Sequence, residues 1–286
     1  DRKDLRVLLL EGINETAVDL FAAAVAATSP RVEEVAQRGL PQAAHEAMVA
    51  HSHASYTRGR IGSGPLHGWL DDMALARSAF GAVLGVSEAE LALMHCTTDA
   101  VNTVLWGTRW QPGDEVLTTT HEHPGLTAPL VELERVHGVR TRMVPPDAIA
   151  NELRRETRMV ALSHVLWTNG DVLPLERITQ AVRAHAHGAR MQVLVDGAQS
   201  TGAIPVDLHA SGVDFYTVSG QKWFCGPSGT GALWVHPRAL PTLDTPWPWY
   251  LSKNRFASPI AEWSCVDPGD GSAHDLFVSL ESVGLW

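Results

Sequence analysis

Between residues 91 and 235, short apolar runs alternate with longer segments in which apolar residues recur at helical spacing. The runs "VALSHV" and "VLVDGA" are apolar almost throughout, which is typical of strands buried on both faces. Strands that alternate with helices of about 10–15 residues indicate βαβ units. The sequence therefore predicts an α/β fold built on a mostly parallel sheet.

The composition excludes several classes of protein. Lys and Arg number 22 against 32 Asp and Glu, which gives a formal net charge of −10. An acidic chain without a basic run lacks what phosphate neutralisation requires, so we expect no nucleic-acid partner. No apolar run approaches the roughly 20 residues of a membrane span, and no signal peptide is evident. We therefore expect a cytoplasmic protein without a membrane partner.

The cysteines and histidines give no metal signal. Cys96, Cys225 and Cys265 share no metal-ligand spacing, and an odd number argues against a disulfide framework. Cys96 and Cys225 are interpreted as packing residues. The "HEH" at 121–123 is not a known helical ligand pair and has no apparent third ligand, so no metal site is predicted.

Polar side chains follow five of the predicted strands at the point where each strand ends. In an open parallel sheet, ligands bind outside the carboxyl ends of the strands. We therefore expect these side chains to face one crevice. They are Cys96, Thr97 and Thr98; His121, Glu122 and His123; Trp167 and Thr168; Asp196 and Gln199; and Ser219, Gln221 and Lys222.

This combination of groups suits pyridoxal 5′-phosphate (PLP). An amine in a partly apolar turn, as in "SGQKWFCGP", can form a Schiff base with an aldehyde. A carboxylate at a neighbouring strand end can keep a pyridine nitrogen protonated. Hydroxyls and amides at a helix N-terminus bind phosphate, and an imidazole can stack on a ring. A dinucleotide is disfavoured, because "GPSGTG" leads into a strand and not a helix.

The segment "VDGAQSTGAIPVDLHASGVDFYTVSGQKWFCGPSGTGALWV" resembles the core of class V aminotransferase-fold PLP enzymes. That family includes cysteine desulfurases, selenocysteine lyases, isopenicillin-N-epimerase-like proteins and other C–S lyases. The similarity runs from about 50 to 240. It implies a PLP-dependent enzyme of fold type I, in which a three-layer α/β/α large domain carries the cofactor and a small domain follows.

The resemblance also implies roles for single residues. Lys222 would be the Schiff-base lysine, Asp196 the partner of the pyridinium nitrogen and His123 the stacking ring, and these three form the predicted catalytic set. Gln199 would reach the ring hydroxyl. The remaining cofactor contacts would be phosphate ligands, namely Thr97, Thr98, Ser219 and Gln221.

The chain departs from the desulfurase pattern at three points. Gln221 stands where many members carry histidine, although an amide also donates to phosphate. Trp167 lies where desulfurases usually carry a polar residue. "KWFCGP" is one residue longer than the desulfurase-like motif and is closer to the epimerase-like branch.

The domain organisation follows from the same resemblance. Residues 1–68 are expected to form an N-terminal segment with helices and an active-site loop at 58–68. Residues 69–240 would be the PLP-binding large domain, and 241–286 would lead by a loop and a helix towards the small domain, which is incomplete in this sequence. Both ends look cut. Relatives usually complete the phosphate pocket with a neighbouring subunit, so a homodimer is expected.

The predicted function is action at Cα or Cβ of an amino acid or a cysteine conjugate. C–S lyase or related deamination chemistry is favoured because no sulfur-accepting cysteine can be placed. The alternatives are a cysteine desulfurase, an aminotransferase and an amino-acid epimerase. A catalytically inactive PLP-fold protein that binds a ligand or a partner is the alternative from another class, and a nucleotide-dependent oxidoreductase is disfavoured by the failed glycine motif.

Overall fold

Residues 40–58 and 63–247 are described by a computed structural model, and the expectations for 1–39, for Cys265 and for most of 241–286 lie outside them. Helices α1 (Gln42–Arg58) and α2 (Ser63–Leu84) precede the sheet. The prediction of a loop over 58–68 was wrong, since α2 already begins at Ser63. Pro65 falls in the first turn of α2, where a missing N–H breaks no intrahelical hydrogen bond.

Within the described residues, seven strands alternate with four further helices. The strands are β1 (Leu91–Met94), β2 (Glu115–Thr119), β3 (Arg140–Val144), β4 (Thr157–Ser163), β5 (Gln192–Asp196), β6 (Phe215–Ser219) and β7 (Gly231–Val235). The helices are α3 (Thr97–Gly107), α4 (Pro124–His137), α5 (Leu175–Ala184) and α6 (Leu208–Ser211). Between β3 and β4 the chain forms only a short 3₁₀ turn at Pro146–Asn151.

The strands form one sheet in the order β1-β7-β6-β5-β4-β2-β3. The β2–β3, β2–β4, β4–β5 and β5–β6 pairs are parallel, and β7 runs antiparallel to both of its neighbours. The predicted mostly parallel sheet is confirmed. The carboxyl ends of β1, β2, β4, β5 and β6 consequently lie along one edge of the sheet, which is where polar residues follow the strands.

Both faces of the sheet are covered by apolar packing. Along β5, Leu194 belongs to one buried cluster, while Val193 and Val195 belong to the other. The first cluster also holds residues of α3 and α4, and the second holds Ile178 and Val182 of α5. This is a three-layer arrangement. In the residues described, no helix has the length and apolar character needed to cross a membrane.

Candidate active site

One cavity of about 140 Å³ lies at the carboxyl edge of the sheet. All eight residues predicted to contact a cofactor line it: Thr97, Thr98, His123, Asp196, Gln199, Ser219, Gln221 and Lys222. Four residues without a predicted role complete the lining: Cys96, Ser163, Trp167 and Ala198. The convergence expected from strand ends is therefore present in the structure.

Asp196 ends β5 and carries a buried carboxyl, with 6% of the residue exposed. Its Oδ1 accepts a hydrogen bond of 2.9 Å from the backbone N–H of Ala198. Burial raises the pKa of Asp196, and that hydrogen bond and the nearby Lys222 charge act against the rise. Gly197 fixes the turn that follows, since a Cβ there would lie 2.1 Å from the ring of Tyr216. A buried carboxyl in this position favours a cationic neighbour.

Lys222 lies in a tight turn directly after β6. The turn is closed by hydrogen bonds from Gly226 N–H to the Gly220 carbonyl at 2.7 Å and from Cys225 N–H to the Lys222 carbonyl at 2.9 Å. Cys225 adopts a φ of 55°, in the left-handed region that few non-glycine residues enter. The turn presents the Lys222 side chain to the cavity, close enough to Asp196 to influence its pKa.

The N-terminus of α3 forms another wall of the cavity. Cys96 occupies the N-cap position, and its side chain makes no capping hydrogen bond. The Thr97 hydroxyl is buried and finds no hydrogen-bond partner among the described residues. A buried polar atom without a partner is unfavourable, and helix N-termini attract anions. Hydroxyl and helix terminus together provide the donors that a phosphate group requires.

His123 connects β2 to α4. It is the N-cap of α4, and its Nδ1 accepts a 2.9 Å hydrogen bond from the Gly125 N–H. The neutral ring therefore carries its proton on Nε2. A Cβ at position 125 would lie 2.7 Å from Thr98 Oγ1, so glycine allows α4 and α3 to approach here. The ring of Trp167 meets His123 edge-on, with centroids 5.1 Å apart.

Gln199 is held by a residue of the lysine turn. Its Oε1 accepts a 2.9 Å hydrogen bond from the indole N–H of Trp223. This contact assigns the acceptor end of the amide and leaves Nε2 as a donor. The free Nε2 group can donate a hydrogen bond to an oxygen substituent on a pyridine ring.

These residues fit PLP. The unpartnered Thr97 hydroxyl and the α3 terminus suit its phosphate, the buried Asp196 carboxyl suits a protonated ring nitrogen, and Lys222 offers an amine for the aldehyde. Each donor or charge matches a different substituent of a single cofactor.

Sequence reasoning gave no role to three groups that the structure places at or beside the cavity. Among the described residues the buried Trp167 indole N–H finds no partner, and Ser163 lines the cavity beside Asp196, its register partner on the neighbouring strand. Glu122 is buried behind them, with 8% of the residue exposed. The position of Glu122 directly after β2 was the available signal, but its burial depends on β4, which is distant in sequence.

Cys96 was predicted to be a packing residue and instead lies on the cavity wall. Burial raises the pKa of its thiol, and the negative charge of Asp99 raises it further. A raised pKa leaves little thiolate at neutral pH, so Cys96 is poorly suited to act as a nucleophile.

Comparison with known proteins points in one direction. The sequence model of the family described as Aminotransferase class-V matches residues 24–264. The chain is 36% identical over 184 residues to a probable cysteine desulfurase of Mycolicibacterium paratuberculosis, covering 60% of this chain and 26% of that protein. It is 36% identical over 173 residues to a cysteine desulfurase of Escherichia coli O8, covering 56% of this chain and 41% of that protein.

Solved structures resemble the fold as well. A complex of the cystine C-S lyase C-DES with its reaction product cysteine persulfide superposes with a TM-score of 0.75 and 32% identity, covering 83% of this chain and 64% of that one. A C-DES variant with glycine covalently linked to the PLP cofactor gives a TM-score of 0.76 and 31% identity, covering 83% and 63%. The chain thus spans less than two thirds of the proteins that it matches.

Proposed function

The chain belongs to the Aminotransferase class-V family, whose members are PLP-dependent enzymes, and from this premise we propose that it forms the cofactor-binding part of a C–S lyase. The proposed substrates are cystine and related cysteine derivatives. C-DES, a cystine C-S lyase, matches 83% of this chain at 32% identity, which supports this substrate class.

One observation carries the proposal. Lys222 and Asp196 line the same cavity and interact electrostatically, and the opposite wall is a helix N-terminus with an unpartnered buried hydroxyl at Thr97. A ligand-binding module would need the donors for phosphate, but it would have no need for an amine beside a buried carboxyl. The pair supports an enzyme over a non-catalytic binding protein.

Bound PLP supplies an electron sink for negative charge that develops at Cα of an amino acid. Asp196 would hold a proton at the ring nitrogen, Gln199 would donate to the ring oxygen, and Thr97 and Thr98 would bind the phosphate. His123 would pack against the cofactor ring. Lys222 Nζ would hold the cofactor and then take the proton from Cα of the substrate.

C–S cleavage and desulfuration differ in where sulfur goes. Elimination from cystine breaks one Cβ–S bond, keeps both sulfurs on the departing cysteine persulfide, and yields pyruvate and ammonia after water is added. A desulfurase instead passes sulfur to a thiolate and releases alanine. The raised pKa of Cys96 supports the lyase, since the thiol on the cavity wall is a poor acceptor.

The test uses the purified chain with added PLP. We expect a visible absorption band that borohydride removes, and pyruvate in excess of alanine when cystine is supplied. Lys222→Ala should abolish turnover, and each factor of ten that is lost corresponds to about 1.4 kcal/mol of barrier. A colourless protein would refute the PLP assignment. Alanine as the main product from cysteine would identify a desulfurase.

The expected homodimer also belongs to the proposal. Two segments with aromatic and arginine residues are its candidate interfaces: "RGRIGSGPLHGWL" (58–70) falls mostly in α2, whereas "PWPWYLSKNRF" (246–256) lies largely outside the described residues. Sedimentation at micromolar concentration tests it directly, and a fully active monomer would exclude a shared site.

A further inference from the structure

The pairing of β2 with β4 ends before the two strands do. Their register runs from Glu115 opposite Thr157 to Leu117 opposite Val160, and the described chain shows no backbone pairing between these strands beyond that point. β2 continues to Thr119 and β4 to Ser163. The backbone ladder between these two strands therefore has a gap at the edge of the sheet that bears the cavity.

The carboxyl group of Glu122 spans this gap. Its Oε1 accepts a 2.6 Å hydrogen bond from the Thr119 hydroxyl. Its Oε2 accepts from both the N–H and the hydroxyl of Ser163, at 2.9 and 2.5 Å. The side chain thus replaces the missing ladder, because it satisfies a backbone N–H of β4 that β2 no longer reaches.

The two strand ends that Glu122 joins both lead into the cavity. His123 is the next residue after Glu122, and it lines the cavity and caps α4. Ser163 also lines the cavity and is the register partner of Asp196. Glu122 itself is not part of the lining. It can act on a bound cofactor only through the residues that it holds.

We propose that Glu122 is a positioning residue, whose carboxyl group fixes the separation of the β2 and β4 ends and so places His123 and Ser163 for cofactor binding. The proposal rests on the proposed function, since it takes the cavity to be the PLP site. An apolar side chain could fill the same space, but it could not accept the three hydrogen bonds.

Burial without a cationic partner supports a role other than stability. Desolvation and the nearby charge of Asp196 together raise the pKa of Glu122 to about 7, although Ser163 and Thr119 donate hydrogen bonds to it. A carboxyl kept in such surroundings weakens the fold at neutral pH. Strongly perturbed groups of this kind concentrate at functional sites.

The test compares Glu122→Ala with Glu122→Gln. PLP is titrated into each folded protein, and affinity is read from the visible band of the bound cofactor. Alanine removes the bridge, and we expect affinity to fall by about tenfold or more. Glutamine can accept from Ser163 through Oε1 and donate to Thr119 through Nε2, so affinity should stay within about threefold of the wild type.

A second pair of variants covers the case in which Glu122→Ala does not fold. Thr119→Val removes one donor to Glu122, whereas Thr118→Val removes the adjacent buried hydroxyl, which has no partner. Both replacements preserve side-chain shape. We expect Thr119→Val to weaken PLP binding several-fold and Thr118→Val to leave it unchanged.

Glu115→Gln controls for a general loss of stability, since Glu115 lies at the opposite end of β2. It should lower thermal stability without changing PLP affinity. Wild-type affinity in folded Glu122→Ala, or equal affinities of the two threonine variants, would overturn the positioning role. A wild-type protein that forms no visible band would instead refute the proposed function.

Discussion

Two buried glutamates stand at opposite ends of the same strand pair, and their chemistry differs. Glu115 begins β2 and accepts a 2.8 Å hydrogen bond from the hydroxyl of Thr157 on β4. Glu122 follows the end of β2 and accepts from the hydroxyl of Ser163, also on β4. Both residues are less than 9% exposed. Each carboxyl therefore joins β2 to β4 through a hydroxyl.

The pKa values of the two carboxyls shift in opposite directions. Burial raises the pKa of Glu115, but hydrogen bonds from Arg142 and Thr157 outweigh it and leave the pKa below 4.5. Burial raises the pKa of Glu122 to about 7, because its hydrogen bonds come only from neutral donors. The difference is the guanidinium of Arg142, which donates to both oxygens of Glu115 at 2.8 and 3.0 Å.

The amino end of this strand pair therefore contributes to fold stability, whereas its carboxyl end carries the residues of the candidate active site. At the amino end, the Glu115 charge is neutralised by an arginine from β3. At the carboxyl end, the cation Lys222 acts on Asp196 and is not among the groups that shift the pKa of Glu122. The carboxyl edge thus holds two neighbouring carboxyls that a cationic ligand would stabilise.

The largest effect is expected from removing the arginine. Arg142→Met should make Glu115 resemble Glu122, with a buried charge that lacks a cation. Breaking a buried pair by removing one partner destabilises by about 3–5 kcal/mol, and the 18% exposure of the Arg142 side chain favours the lower figure. Urea denaturation at pH 8 measures the loss.

The loss should shrink in acid, because Glu115 in the variant has a raised pKa and accepts a proton as the pH falls. Arg135→Met is the matched control, since Arg135 pairs with Glu132 on the surface with 70% and 48% of the side chains exposed. Such a pair contributes about 0–1 kcal/mol. Equal losses for the two arginine variants would contradict the account of Glu115.

Replacing each glutamate by glutamine should change the free energy of unfolding by less, and in opposite directions for the two residues. Glu115→Gln removes the partner of Arg142 and should destabilise at pH 8 by about 2 kcal/mol. Glu122→Gln removes a buried charge and should stabilise at pH 8 by about 2–3 kcal/mol. Thermal unfolding of the two variants is compared at equal cofactor occupancy. Stability changes of the same sign would contradict the different roles assigned to the two glutamates.

The pKa of Glu122 determines how its contribution to stability changes with pH. Its pKa is about 7 in the folded chain against an ordinary value of 4.5, so the folded state holds the proton more tightly. Its contribution to stability is complete below pH 4.5 and is lost as the pH rises to about 7, amounting to about 3 kcal/mol. Glu122→Gln should therefore match the wild type at pH 4.5 and exceed it at pH 8.

The sequence predicted the sheet because its strands have a local signature. The apolar runs around Val160 and Val193 could be recognised without tertiary information, since strands covered on both faces are apolar throughout. Helix boundaries were less accessible. Gly64 and Pro65 indicated a loop, yet a first helical turn tolerates both residues, and the segment that begins at Pro146 forms only a 3₁₀ turn.

The lining of the cavity was also predictable, because the strand-end rule needs only strand order. Lys222 and Asp196 were identified in this way, and their roles remain predictions. Glu122 was among the strand-end residues but received no role, since its partner Ser163 lies 41 residues away in sequence. The unpartnered indole of Trp167 likewise depends on packing that no local pattern encodes.

The smallest effect concerns two adjacent threonines on β2, at the end that carries Glu122. Thr118 and Thr119 are both fully buried, but the Thr118 hydroxyl has no hydrogen-bond partner, whereas that of Thr119 donates to Glu122 and accepts from the His121 N–H. Thr118→Val replaces an unsatisfied hydroxyl with a methyl group and should stabilise by about 1 kcal/mol. Thr119→Val leaves the His121 N–H without its acceptor and should destabilise by a similar amount. Denaturant titration of both variants checks the pair, and a loss of stability in Thr118→Val would mean that its hydroxyl is satisfied by a buried water molecule.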